Sequence, residues 1–114
     1  MSEFAEELLK RAHQFRVAAL TSPGGGDQEK TQFFELATRA AEMGWADAML
    51  EVAVCYRDGT GVKRDRKLAF TWMEQAAEAG SEGAKLHMIA FHERGIGTRR
   101  DLAKATEWQA RLKR

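Results

Sequence analysis

The chain repeats itself every 36 residues, and this internal repeat constrains its fold more than any other sequence feature. Residues 44–78 and 80–114 share nine identities over 35 ungapped positions, where unrelated segments would share roughly two. One such unit cannot bury its own apolar face, so neighbouring units must stack into a continuous core. The identical pairs are Gly44/Gly80, Ala48/Ala84, Leu50/Leu86, Gly59/Gly95, Gly61/Gly97, Arg64/Arg100, Asp65/Asp101, Ala69/Ala105 and Trp72/Trp108.

The same shift, carried toward the N-terminus, predicts a degenerate first repeat. It aligns small residues at the pairs Ala12/Ala48, Gly25/Gly61, Ala40/Ala76, Ala41/Ala77 and Gly44/Gly80. A chain of 114 residues is too short for two separate cores. We therefore expect a single domain over 1–114, with a degenerate repeat at 2–43 and further repeats at 44–79 and 80–114.

Start and stop signals divide each repeat into two helices. Candidate stops lie just past periodic apolar segments, at Gly44, Gly59, Gly80 and Gly95. Candidate N-caps offer a side-chain oxygen to the first-turn amides, at Asp27, Asp65, Ser81 and Asp101. The abundance of Ala, Leu, Glu, Lys and Arg also favours helix over strand. An all-α fold follows, with six helices at about 2–20, 28–43, 46–58, 66–79, 82–94 and 102–113.

A family motif recurs in the second and third repeats. The second repeat carries Ala46-Asp47-Ala48 through Tyr56, Gly59-Thr60-Gly61-Val62, Asp65, Ala69, Trp72 and Ala76-Ala77-Glu78-Ala79-Gly80. The third repeat keeps Ala84, Leu86, Gly95-Ile96-Gly97, Asp101, Ala105 and Trp108, but has His92 and Thr98 where the family usually has tyrosine and valine. Over about residues 41–112 the chain resembles the Sel1-like repeat, which is similar to the tetratricopeptide repeat, and the resemblance implies a bacterial protein.

The resemblance implies a right-handed α-solenoid of antiparallel helix pairs, with the first helix of each pair lining a concave face that binds a partner. The concave-face candidates are Asp47, Leu50, Glu51, Val54, Arg57, Asp58, Leu86, His87, Ala90, Glu93 and Arg94, with Gln14, Phe15 and Ala18 extending them into the first repeat. Leu50, Val54, Leu86 and Ala90 would form an apolar strip flanked by charges. Such a strip is typical of grooves that take an amphipathic helix or an extended peptide.

A basic edge is the second candidate surface, formed by Lys63, Arg64, Arg66, Lys67, Arg99, Arg100 and Lys104. Cations placed ahead of a helix oppose its dipole by about 0.3 to 1 kcal/mol, which partner binding or solubility could explain. The glycine-rich loops there resemble phosphate loops only superficially. Asp65 and Asp101 would occupy the amides that a phosphate needs, so tight turns are the better interpretation.

No residue pattern indicates catalysis, a metal site or a cofactor. His87 and His92 are five residues apart and so lie on different faces of a helix, and His13 lies in another helix. Cys55 stands in an apolar segment, where a small packing residue is the simplest interpretation. We therefore expect a protein that is not an enzyme.

Charge and hydropathy exclude several other classes of protein. The net charge of +1 and the lack of interleaved surface aromatics argue against nucleic-acid binding. The start of the chain is acidic, unlike a signal peptide, and no apolar run could insert into a membrane. A single cysteine excludes an intramolecular disulfide. These features favour a cytoplasmic location.

The leading hypothesis is a non-enzymatic protein–protein interaction module, either an adaptor or an immunity-type inhibitor, whose partner is a protein or peptide. The alternatives are a self-assembling scaffold or homodimer, formed through the uncapped end of the last helix, and a regulatory signalling subunit.

Overall fold

Six helices account for most of the chain. The computed structural model describes residues 2–21 and 26–112; Gly25, paired above with Gly61, and residue 113 of the expected last helix lie outside these ranges. The helices are α1 (Ser2–Thr21), α2 (Asp27–Glu42), α3 (Ala46–Asp58), α4 (Arg66–Glu78), α5 (Glu82–Arg94) and α6 (Leu102–Leu112). The predicted bounds agree with the described ones to within one residue.

The helices pack as consecutive pairs, α1 with α2, α3 with α4 and α5 with α6, and each pair stacks on the next. No strand occurs in the part of the chain that the structure describes. The predicted fold class, an all-α solenoid of antiparallel helix pairs, is confirmed. We call α1, α3 and α5 the first helices and α2, α4 and α6 the second helices.

Three of the four predicted N-caps are confirmed by side-chain hydrogen bonds. The Leu68 amide donates to the Asp65 side chain at 3.0 Å, and the Ala84 amide donates to the Ser81 hydroxyl at 3.1 Å. The Lys104 amide donates to the Asp101 side chain at 3.0 Å. Each bond satisfies one first-turn amide that has no partner within its own helix.

The fourth predicted cap, Asp27, is wrong by one position. The cap is Gly26, whose φ of 71° is left-handed and whose carbonyl oxygen accepts the amide of Lys30 at 2.9 Å. Asp27 therefore lies inside the first turn, where its charge still favours the helix dipole. The error arose because a glycine that ends a glycine-rich stretch is indistinguishable, in sequence, from the loop before it.

Two apolar clusters form the core, and Met49, Tyr56 and Trp72 pack against both. Five alanines from the aligned positions of the repeats are buried, with exposed fractions of at most 4 % at Ala12, Ala48, Ala69, Ala84 and Ala105. Trp108 is buried, while Trp72 is half-buried between the clusters. Both tryptophans therefore serve the contacts between helices.

The stacking contacts between pairs recur with the repeat. Phe34 of α2 meets Tyr56 of α3 edge to face, with ring centroids 5.3 Å apart. Phe70 of α4 meets His92 of α5 in the same way at 5.5 Å, and each of these residues lies 36 positions after its counterpart. His92 thus fills the aromatic position that the family usually gives to tyrosine.

Candidate functional site

Side-chain contacts join the first helix of each pair to that of the next. Arg16 of α1 donates from Nη1 to Glu51 Oε2 of α3 at 3.0 Å. Arg57 of α3 places Nη1 3.5 Å from His87 Nδ1 of α5. We use the name first-helix face for the surface that contains Arg16 and the concave-face candidates of α3 and α5.

The expected apolar strip on this face is largely used in packing between α3 and α5. Leu50 and Val54 are half-buried and contact the second core cluster. A Cβ added to Gly83 of α5 would lie 3.0 Å from Leu50 Cδ1, so Leu50 is covered by the next pair. Ala90 is half-buried as well, and only Leu86 is widely exposed, at 56 %. The polar candidates Asp47, Asp58, Glu93 and Arg94 are exposed, whereas Glu51, Arg57 and His87 are half-buried.

A cleft of about 510 Å³ opens near the C-terminal ends of α3 and α5. We call it the arginine cleft, and it is lined by Arg57, Asp58, Arg64, Arg66, Arg94 and Ile96. From the sequence, Arg57, Asp58 and Arg94 were expected on the concave face, and Arg64 and Arg66 on the separate basic edge. The structure brings both groups together, and it adds Ile96, which the candidate residues did not include.

One of the four arginines in the cleft is neutralised within the protein. Arg57 donates to the Asp58 carboxylate through Nε at 2.9 Å and Nη2 at 3.1 Å. This two-point contact lowers the pKa of Asp58 and raises the pKa of Arg57. Within residues 2–21 and 26–112, Arg64, Arg66 and Arg94 form no side-chain hydrogen bond or ion pair. Three cations in the cleft therefore have no counter-ion among the described residues.

The other basic-edge residues do not line this cleft. Lys63, Lys67 and Arg99 are exposed. Arg100 donates from Nε to the main-chain oxygen of Glu93 at 3.0 Å, and Lys104 lines a different cavity. The residues of the predicted basic edge thus lie in several different surroundings. Of these residues, only Arg64 and Arg66 line the cleft with residues of the first-helix face.

A second cavity of about 200 Å³ was not anticipated from the sequence, although the i, i+4 spacing of acidic and basic residues on α4 and α6 is a signal for it. Arg111 donates to Glu78 Oε1 at 2.8 Å and lies 4.0 Å from the centre of the Trp108 ring. The lining residues are Glu74, Glu78, His92, Lys104, Glu107, Trp108 and Arg111. The described residues contain no group of three side chains that could hold a metal ion.

The Cys55 thiol lies in surroundings that are unfavourable for nucleophilic chemistry. Burial raises the pKa of the Cys55 thiol to about 12, and the nearby charge of Glu51 adds to the effect. A thiol in this state is protonated at neutral pH and does not act as a nucleophile. Burial also lowers the pKa of His87, and the charge of Arg57 lowers it further.

Sequence comparison identifies the repeat. The family model described as "Sel1 repeat" matches residues 46–81 and 88–108, which is half of the chain. No curated protein matches the sequence. In the described part of the chain, no helix has the length and apolar character to cross a membrane. Proteins built from Sel1 repeats generally mediate protein–protein interaction.

Solved structures of bacterial repeat proteins share the fold. A Sel1 repeat protein from Oxalobacter formigenes has 22 % identity and a TM-score of 0.81, over 96 % of this chain and 42 % of its own. A protective antigen of uropathogenic Escherichia coli with an SLR fold has 25 % identity and a TM-score of 0.70, over 93 % and 26 %. Helicobacter pylori cysteine rich protein B has 18 % identity and a TM-score of 0.68, over 95 % and 90 %.

The chain spans less than half the length of the first two of these structures. The family-model match and the stacked helix pairs nevertheless lead to one conclusion. The chain belongs to the Sel1 repeat family.

Proposed function

We propose that this protein is a non-enzymatic interaction module that binds another protein at the first-helix face, next to the arginine cleft. The observation that carries the proposal is the set of three arginines without a counter-ion in the described chain, on a face where Arg16 and Arg57 are both paired. Like charges held close together repel one another, and a bound partner would relieve that repulsion. The cleft and the helices beside it are therefore the surface that a partner would cover.

Ala90 provides a sharp test of this surface. It lies three residues after His87 and four before Arg94 on α5, so it shares a helical stripe with a first-helix contact and with the cleft. Ala90→Glu would add bulk and negative charge between them. Ala103→Glu is the matched control, because it makes the same substitution at an exposed position on the second helix α6.

The experiment captures partners from the source cell with the wild-type protein and then measures the affinity of the purified partner by calorimetry. Ala90→Glu should weaken binding about tenfold or more, and Ala103→Glu should change it less than about twofold. Circular dichroism melting checks that both variants fold. Equal affinities for the two variants would refute binding at the first-helix face.

Two biological roles fit such a module, and they predict different stoichiometries. An adaptor would hold two partners at once, so a ternary complex would elute together in size-exclusion chromatography. An immunity-type inhibitor would bind one partner and abolish its activity.

Self-assembly is a second candidate function, supported by the last helix pair. Leu86 of α5 and Leu102 of α6 are 56 % and 53 % exposed. Their counterparts one repeat earlier are Leu50 and Arg66, and these contact Gly83 and Gly97 of the following pair. No described helix covers Leu86 and Leu102 in the same way, so a second copy could stack there.

Sedimentation velocity over a range of concentrations tests this candidate. The wild-type protein should dimerise as its concentration rises, and the double variant Leu86→Asp, Leu102→Asp should remain monomeric. A wild-type protein that stays monomeric at the highest concentrations would exclude self-assembly through this end.

A further inference from the structure

Helix electrostatics account for only part of the arginine cleft. Arg57 lies in the last turn of α3, and Arg94 is the last residue of α5. Cations are favourable at these positions because they face the negative end of a helix dipole. Arg66 is the first residue of α4, and Arg64 precedes its N-cap Asp65. Cations are unfavourable there, so α4 would be more stable without these two arginines.

The repeat architecture does not require the cluster either. One repeat further along, the position of Arg57 is held by Glu93 and that of Arg66 by Leu102. Arg64 does recur as Arg100, but Arg100 donates to the main chain of Glu93 and Arg64 makes no such bond in the described chain. The same backbone thus accepts an acidic or apolar residue at two of these positions. The concentration of arginines is a property of this cleft and not of the fold.

One carboxylate of the protein itself is bound by an arginine inside the cleft. The Asp58 carboxylate receives two hydrogen bonds from the guanidinium of Arg57, the planar geometry in which arginine holds carboxylates. Arg64, Arg66 and Arg94 offer the same donors to solvent. The volume of about 510 Å³ falls within the range of ordinary ligand clefts, and Ile96 supplies an apolar contact.

We infer that the arginine cleft binds an acidic segment of the partner protein, whose aspartate or glutamate carboxylates pair with Arg64, Arg66 and Arg94. This inference rests on the proposed function and adds the chemistry of the partner. Side-chain carboxylates are the ligand class that the cleft indicates, because the Asp58 carboxylate is already held there by two hydrogen bonds from Arg57.

A labelled peptide tests the inference before the partner is identified. The probe is a fluorescein-labelled, acetylated and amidated peptide with four consecutive glutamates between glycines, and its control has glutamine in place of glutamate. Fluorescence anisotropy at low ionic strength should show binding of the glutamate peptide alone. Raising the salt concentration should weaken the binding, because the pairs are open to solvent.

Two double variants separate the cleft from basic charge in general. Arg64→Gln with Arg66→Gln removes two cations from the cleft and should weaken binding about tenfold. Lys63→Gln with Lys67→Gln removes two cations from the same segment outside the cleft and should change binding less than about twofold. Thermal melting of both variants confirms folding. Equal losses in the two variants, or no binding of the glutamate peptide by the wild-type protein, would overturn the inference.

A phosphoserine peptide of matched length provides a further arm. Tighter binding of this peptide than of the glutamate peptide would overturn the assignment to carboxylates. If Ala90→Glu weakens binding of the natural partner while the arginine variants bind that partner normally, the inference fails and the proposed function stands. If the partner is insensitive to Ala90→Glu, the proposed function itself fails.

Discussion

Gly97 lies so close to the main chain of Arg66 that a Cβ at Gly97 would overlap the carbonyl oxygen of Arg66. Gly61 has the same relationship with Lys30, 36 residues earlier in both partners. The loops after α3 and α5 are therefore packed against the first turns of the preceding second helices, α2 and α4. This contact sets the distance between successive pairs, and it explains why the glycine recurs.

Replacing Gly97 with alanine should destabilise the protein by about 3 kcal/mol or more. The left-handed φ of 70° accounts for about 1 to 2 kcal/mol of this, and the collision with Arg66 adds a packing penalty of similar size. Gly59→Ala is the control, since its φ is 74° and its nearest contact for a Cβ is an ordinary 3.4 Å. Urea denaturation should show a clearly larger loss for Gly97→Ala than for Gly59→Ala. Similar losses would mean that the close approach is unimportant.

The corrected N-cap assignment predicts different effects at two aspartates. Asp65→Ala removes the bond to the Leu68 amide and should destabilise the protein by about 1 kcal/mol. Asp27→Ala removes no capping bond and should cost about half as much, through the helix dipole alone. Thermal unfolding of the two variants compares them directly, and a larger loss at Asp27 would contradict the assignment of Gly26 as the cap.

His92 should make the protein less stable as the pH falls. Burial lowers its pKa below 6.5, Lys104 lowers it further, and Asp101, Glu74 and Glu107 partly oppose the shift. In the unfolded chain, histidine protonates at its ordinary pKa of about 6.5. Between that value and the lower folded pKa, the unfolded state binds more protons, so the unfolding free energy decreases as the pH drops. The neutral ring is favoured further because Nδ1 is buried without a hydrogen-bond partner among the described residues.

The variant His92→Tyr isolates this contribution. Tyrosine fits because Tyr56 occupies the equivalent position one repeat earlier and makes the same edge-to-face contact. Urea denaturation at pH values from about 7.5 to 5.5 should show a shallower loss of stability in His92→Tyr than in the wild-type protein. His87 contributes equally to the pH dependence of stability in both proteins, so its effect cancels when the two profiles are compared. Parallel pH profiles would show that His92 titrates normally.

Cys55 should be unreactive in the folded protein. Its side chain is 1 % exposed, and its pKa is raised to about 12 by burial and by Glu51, so little thiolate forms near neutral pH. Modification by Ellman's reagent at about pH 8 should be at least about 100-fold slower in buffer than in denaturant. Rapid modification of the folded protein would place Cys55 at the surface.

The helices could be predicted closely because their signals are local. Each cap depends on residues within one turn, as Asp65 and Ser81 show, and the 36-residue shift aligned Ala48 with Ala84 correctly as buried positions. The error at Asp27 arose where a glycine assumed the role of the cap. Glycine is required at the cap because Gly26 packs against Ala19 of α1, and a Cβ on Gly26 would overlap Ala19. Such a contact lies outside any local pattern.

The sequence by itself therefore determined the repeat, the six helices and the Sel1 family, because these follow from periodicity and turn chemistry within each unit. Only the tertiary structure decided which charges meet. Arg57 and Arg94 are 37 residues apart, and they line one cleft with Arg64 only because α3 and α5 end side by side. Electrostatic interaction depends on distance in space, so the convergence of these arginines on one cleft follows from the stacking of the helix pairs and not from their spacing in the sequence.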